Sequence, residues 1–207
     1  MIGKKALIFL MLVLAHCTWA QNPDNNTPRI YHADFGADQP LPGWQKNTEG
    51  VTIKEGTLRL SVSDTGRKVA RIQFGEPGWK NFELTFRARI NLEHKGDRHW
   101  GVDLRAGSSH ELKVFCRGEK CELLSGGEVT VFPVPLPRKM MAETDAPWTA
   151  FSIACVDGKV SVKADGVSLG ELPVSADACG TLRFYVYNMD IEIDNLSVRV
   201  LSCRDNA

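Results

Sequence analysis

Apolar and polar residues alternate without a break from Phe82 to Ile90. Phe82, Leu84, Phe86, Ala88 and Ile90 fall on one side of an extended chain, and Glu83, Thr85, Arg87 and Arg89 on the other. A period of two is that of a strand with one buried and one wet face. Trp100 to Arg105 repeats it, with Asp103 and Arg105 opposite Val102 and Leu104, and His110 to Cys116 follows across the Gly107-Ser108-Ser109 turn. The last third of the chain reads the same way. Phe151–Cys155 and Lys159–Lys163 flank Asp157-Gly158, and a second Asp-Gly pair stands at 165–166. Asp-Gly between alternating runs predicts tight hairpins, because the turn needs positive φ and glycine supplies it at no steric cost. Further strands are predicted over Val51–Ile53, Thr57–Val62, Lys68–Phe74, Val129–Phe132, Thr181–Tyr187 and Ile191–Val200. Pro133, Pro135 and Pro137 then break regular structure, and no segment sustains a helical period. Many short strands with Gly, Asp and Asn turns predict an all-β fold, an antiparallel β-sandwich of jelly-roll type.

The N-terminus has a different pattern. Lys4-Lys5, the apolar run Ala6–Ala15 and Thr18-Trp19-Ala20 read as a signal peptide over 1–20, cut before Gln21. A lipoprotein signal ending at Cys17 fits less well, since His16 is bulky where a small residue is usual. The polar stretch 21–29 reads as a flexible leader and 30–203 as a single domain. The expected location is secreted or periplasmic. The 207-residue chain is formally neutral, and losing Lys4 and Lys5 leaves it two units negative. That argues against nucleic acid as a partner. The apolar runs are too short for a membrane span.

Export permits disulfides. Cys116 and Cys121, either side of a turn-like segment, are the easiest pair to join, and Cys155 with Cys179 is a weaker second. Cys203 is left over, free or bonded to another chain. The spacing does not suit structural zinc.

Several motifs together resemble a known superfamily. These are His32-Ala33-Asp34-Phe35 with Gly43-Trp44, Gly50–Leu60, Trp79–Leu84, Trp100–Arg105, Asp157–Val160 and Ile193–Val198. The set is similar to the strands of concanavalin A-like jelly rolls, and within them to the 3-keto-disaccharide hydrolase and laminin-G-like domain group. The resemblance implies a glycan-related role outside the cytoplasm. Where that group has Asn-Ser before the glycine, this chain has His99-Trp100, and its Tyr-Glu pair corresponds to His110-Glu111. The E-x-D-x-E strand of family-16 glycoside hydrolases has no match, Glu192-Ile193-Asp194 supplying only two of three acids on the closing strand.

The polar face of the concave sheet is the first candidate site. If the strands carrying them share that sheet, Arg87, Arg89, Asp103, Arg105, Glu111, Arg183, Tyr185 and Tyr187 converge, and Trp100 lines the cleft. Aromatic rings stack on sugar C–H faces, and guanidinium and carboxylate groups fix hydroxyls. The competing reading is a solvated face laced with ion pairs. For catalysis, Asp103 or Glu111 paired with His110 would supply the general acid or base, and Arg105 the cation that holds the enolate. The resemblance also implies a structural Ca²⁺ between Asp34 and Asp194. Two carboxylates are too few for an ion taking six or more oxygens, so a local turn at Asp194-Asn195 is the preferred reading, and no cofactor is expected with certainty. Three functions follow. They are a non-catalytic glycan-binding module, a hydrolase or lyase acting on 3-keto-glycosides, and a structural or adhesive domain without a small ligand.

Overall fold

The computed structural model describes residues 28–33, 35, 41–46, 49–62, 68–93, 97–106, 112–136, 146–175 and 180–203. Its elements are strands: β1 (Arg29–Ala33), β2 (Gln45–Lys46), β3 (Val51–Lys54), β4 (Thr57–Leu60), β5 (Val69–Phe74), β6 (Trp79–Glu93), β7 (His99–Ala106), β8 (Leu112–Arg117), β9 (Lys120–Ser125), β10 (Glu128–Val131), β11 (Thr149–Val156), β12 (Lys159–Ala164), β13 (Val167–Pro173), β14 (Thr181–Tyr187) and β15 (Met189–Cys203). They form two antiparallel sheets. The first runs β13-β12-β11-β6-β15-β4-β3, with β1 also pairing β15, and the second runs β10-β9-β8-β7-β14-β5-β2. Among the described residues no helix is long and apolar enough to cross a membrane. The signal segment, Asp34, His110, Glu111, Met140-Met141 and Cys179 lie outside the described residues.

Both Asp-Gly hairpins form as predicted. Asp157 and Gly158 sit at φ 48° and 74°, which joins β11 to β12 in the right-twisted geometry that two-residue loops require. The inward residues of both sheets pack face to face. Phe86 of the first sheet stacks on Phe151 at 5.3 Å and meets Phe184 of the second edge-on at 5.0 Å. Trp100 joins them, edge-on to Phe151 at 5.1 Å and only 3% exposed. It is therefore a core residue and not a cleft residue, having the same parity as the inward Val102 and Leu104.

The sheet assignment also corrects an expectation. Arg87 and Arg89 lie on β6, in the first sheet, and turn away from the core. Arg87 is paired with Asp194, and Arg89 Nε donates to Glu192 at 2.6 Å, both acids on the adjacent β15. Trp148 lies against the two guanidinium groups at 5.3 and 4.8 Å. Arg199 faces Glu83 at 3.4 Å on the same surface. This is the ion-pair lacing that cross-strand geometry favours. Cys116, Cys121 and Cys155 are buried and Cys203 is partly exposed.

Candidate functional site

The outer face of the second sheet gathers the remaining candidates through register. One row across the strands reads Glu122, Phe115, Gly101, Tyr185, Arg71. The next reads Leu124, Lys113, Asp103, Arg183, Gln73. His99, Tyr187 and Val69 begin a third. Since side chains two residues apart share a face, these rows form one continuous surface.

Its centre is aromatic. His99 stacks on Tyr187 (5.2 Å, 14°) and meets Tyr185 and Phe115 more steeply at 5.9 and 5.8 Å. Gly101 leaves the gap that Phe115 fills. A Cβ added there would lie 2.7 Å from the Phe115 Cβ and 2.3 Å from the Val114 carbonyl oxygen. Glycine inside a strand often marks such a close approach. Cations cap two of the rings, Lys113 over Tyr185 at 5.8 Å and Arg117 over Phe115 at 5.7 Å.

Beside the aromatics runs a polar chain. Arg183 Nη2 donates to Gln73 Oε1 at 2.9 Å and its Nη1 stands 3.7 Å from Asp103 Oδ2. Asp103 Oδ1 accepts the Arg105 backbone N–H at 3.1 Å, and Arg105 Nη2 donates to the Ser175 carbonyl at 3.0 Å. Asp103 and Arg105 are each only 6% exposed although they point away from the core. Buried charges held this way have fixed positions and directions, which suits a surface that must recognise hydroxyl geometry.

The structure thus brings together Asp103, Arg105, Arg183, Tyr185 and Tyr187, and separates from them Arg87, Arg89 and Trp100. Glu111 and Asp34 lie outside the described residues. Asp194 has its oxygens committed to Arg87 and to the Asn195 N–H at 2.7 Å. Among the described residues no three His, Cys, Asp or Glu are grouped to hold a metal ion. Sequence reasoning missed His99, Phe115 and Gln73 as site residues. For His99 the signal was available, since it shares parity with Asp103 and Arg105. The other notable surface feature is a depression of about 350 Å³ on the first sheet, floored by Thr85, Ala150 and Ser152. The rings that border it, Phe86 and Phe151, are buried core residues with no face free to stack on a sugar.

Burial, above all, holds the His99 imidazole below its usual 6.5; Arg117 and Lys113 push the same way, and Asp97 opposes them. Asp97 stands 3.9 Å from His99 Nδ1 and Glu122 also faces the ring. A histidine whose folded pKa is depressed takes up protons more readily when unfolded. Stability is therefore full above the usual value and falls as pH drops through it toward the folded pKa. The urea midpoint is expected to fall between about pH 7 and about pH 5 in the wild type and to fall less in His99→Gln. Parallel pH profiles would show that His99 stays solvated.

No family model matches the chain, and no curated protein matches it in sequence. Solved structures do match in shape. The carbohydrate-binding module CBM66 from Bacillus subtilis superposes with a TM-score of 0.58 at 8% identity, covering 76% of this chain and 96% of that one. The Crh5 transglycosylase in complex with NAG gives 0.61 at 12% identity, with 84% of each chain covered. A β-1,3-1,4-glucanase (lichenase) derived from a mouse hindgut metagenome gives 0.56 at 10% identity, covering 84% and 98%. The chain is a jelly roll. At such identities the likeness to these neighbours is one of fold. The jelly roll positions its outward residues through strand register, so the site must be argued from the rows above.

Proposed function

We propose that this chain is an exported glycan-binding module whose ligand lies along the outer face of the second sheet. The observation that carries the reading is the ring cluster of His99, Tyr185 and Tyr187 beside the Asp103–Arg183–Gln73 chain. Rings offer flat apolar surface to the C–H faces of a pyranose, while the carboxylate, guanidinium and amide direct hydrogen bonds to its hydroxyls. The carbohydrate-binding module and the transglycosylase in complex with NAG among the structural neighbours support the same reading.

Glycosidases set two carboxyl groups about 5–9.5 Å apart across the bond, so a catalytic reading would require a partner at that distance from Asp103. Export rests on the signal-like residues 1–20, and N-terminal sequencing of the secreted protein should begin at Gln21.

A glycan array followed by calorimetry on the best hit tests the reading. Tyr185→Ala with Tyr187→Ala is expected to weaken binding about 5–150-fold, at roughly 0.5–1.5 kcal/mol per ring. A blank array would sink the module reading and leave a keto-glycoside hydrolase, tested by turnover in wild type and Glu111→Gln, or an adhesive domain. Undiminished binding in the double variant would move the site elsewhere.

A further inference from the structure

Hairpin β8–β9 closes on the two residues Gly118-Glu119, with Gly118 at φ 57°. Arg117 and Lys120 form the pair next to the turn, and Cys116 faces Cys121 directly in the pair after it. The Cys121 carbonyl accepts the Phe132 N–H at 2.9 Å from the opposite side, so its peptide oxygen points away from Cys116. Cys116 and Cys121 are therefore a non-hydrogen-bonded pair, the antiparallel site where side chains come closest, with Cα atoms about 4.5 Å apart. That spacing falls inside the window a disulfide needs, about 4.4–6.8 Å. Both side chains turn into the core, 5% and 0% exposed, and the Cys116 thiol is hydrogen-bonded to the Cys121 sulfur.

We infer that Cys116 and Cys121 close a disulfide across β8 and β9 as the chain folds. The oxidant is a small-molecule disulfide such as oxidised glutathione. One cysteine thiolate attacks it, expelling one glutathione thiolate and leaving a mixed disulfide. The second thiolate then attacks the protein sulfur of that mixed disulfide and expels the other glutathione. The two cysteines lose two protons and two electrons, and the oxidant leaves as two reduced thiols. Once the sheets pack, the sulfurs are sealed from solvent and burial raises the Cys116 thiol pKa well above its usual value. The exchange therefore belongs to folding, before the hairpin docks. Cys155, by contrast, lies on β11 in the other sheet, and Cys203 ends β15.

If the outer face binds a glycan as proposed, the bond also acts on that face. Phe115 and Glu122 are register partners on the outer side of the same two strands. Fixing Cys116 to Cys121 beneath them fixes the spacing of that row. The test refolds the full chain from the reduced, denatured state in a glutathione redox buffer, alkylates it after unfolding, and maps peptides by mass. The expected product is lighter by two hydrogens than the reduced chain and carries one bridge, Cys116 to Cys121. Alkylation of both residues, or bridges from either one to Cys155, Cys179 or Cys203, would overturn the inference. The mapping needs no sugar, so a bridged protein that is blank on the array separates this inference from the glycan reading.

Discussion

Asp190→Ala should cost about 3–5 kcal/mol of folding stability, the range for stripping one partner from a buried, hydrogen-bonded charge cluster. The Asp190 side chain is 1% exposed at the start of β15. Its Oδ1 accepts the Val62 N–H at 2.8 Å, and its Oδ2 accepts the Ser61 hydroxyl at 2.8 Å and faces Arg59 at 3.5 Å. Ser61 is 2% and Val62 5% exposed, so water cannot replace the carboxylate without opening the end of β4. Asp190→Asn keeps an acceptor and should cost less, about 1–3 kcal/mol for the donor left short. Urea unfolding of the two variants checks both figures. A loss under about 1 kcal/mol in the alanine variant would mean that the cluster relaxes and rehydrates.

Gly101→Val carries the second large effect. Its first added atom would lie 2.3 Å from the Val114 carbonyl oxygen, and backbone in the middle of a sheet cannot move aside cheaply. Overpacking of this kind costs about 3 kcal/mol, and displacing Phe115 should disrupt the ring cluster as well. Gly118→Ala is the control. Its Cβ would meet nothing within 4 Å, so only the positive φ of 57° counts against it, about 1–2 kcal/mol. Equal losses in the two variants, read by thermal or urea unfolding, would mean that the sheet gives way around residue 101 and that crowding there is relieved.

The strands were largely legible because alternation and Asp-Gly turns are local signals. Residues 82–90 and the hairpins at 157–158 and 165–166 formed where the pattern put them. Sheet membership was not legible. Parity tells which residues share a face but not which sheet owns the strand, and β6 is flanked by β11 and β15, more than sixty residues further along the chain. Hence Arg87 and Arg89 have the right parity for a wet face and the wrong sheet. Trp100 is a different kind of miss. Its parity with Val102 and Leu104 already pointed inward. Phe115 was hidden for a third reason, since an aromatic on a half-polar strand reads as core until Gly101 is seen opposite it.

The last two strands sit in the middle of both sheets. β14 lies between β7 and β5, and β15 lies between β6 on one side and β4 and β1 on the other. Synthesis delivers them after the other thirteen strands. Until they emerge, the nascent chain holds two incomplete half-sheets with open edges at β5, β7, β4 and β6, and non-local pairings of this kind close slowly. A chain that has not yet gained β14 and β15 therefore exposes unpaired strand edges at the centre of both sheets, the kind of surface a holding chaperone shields.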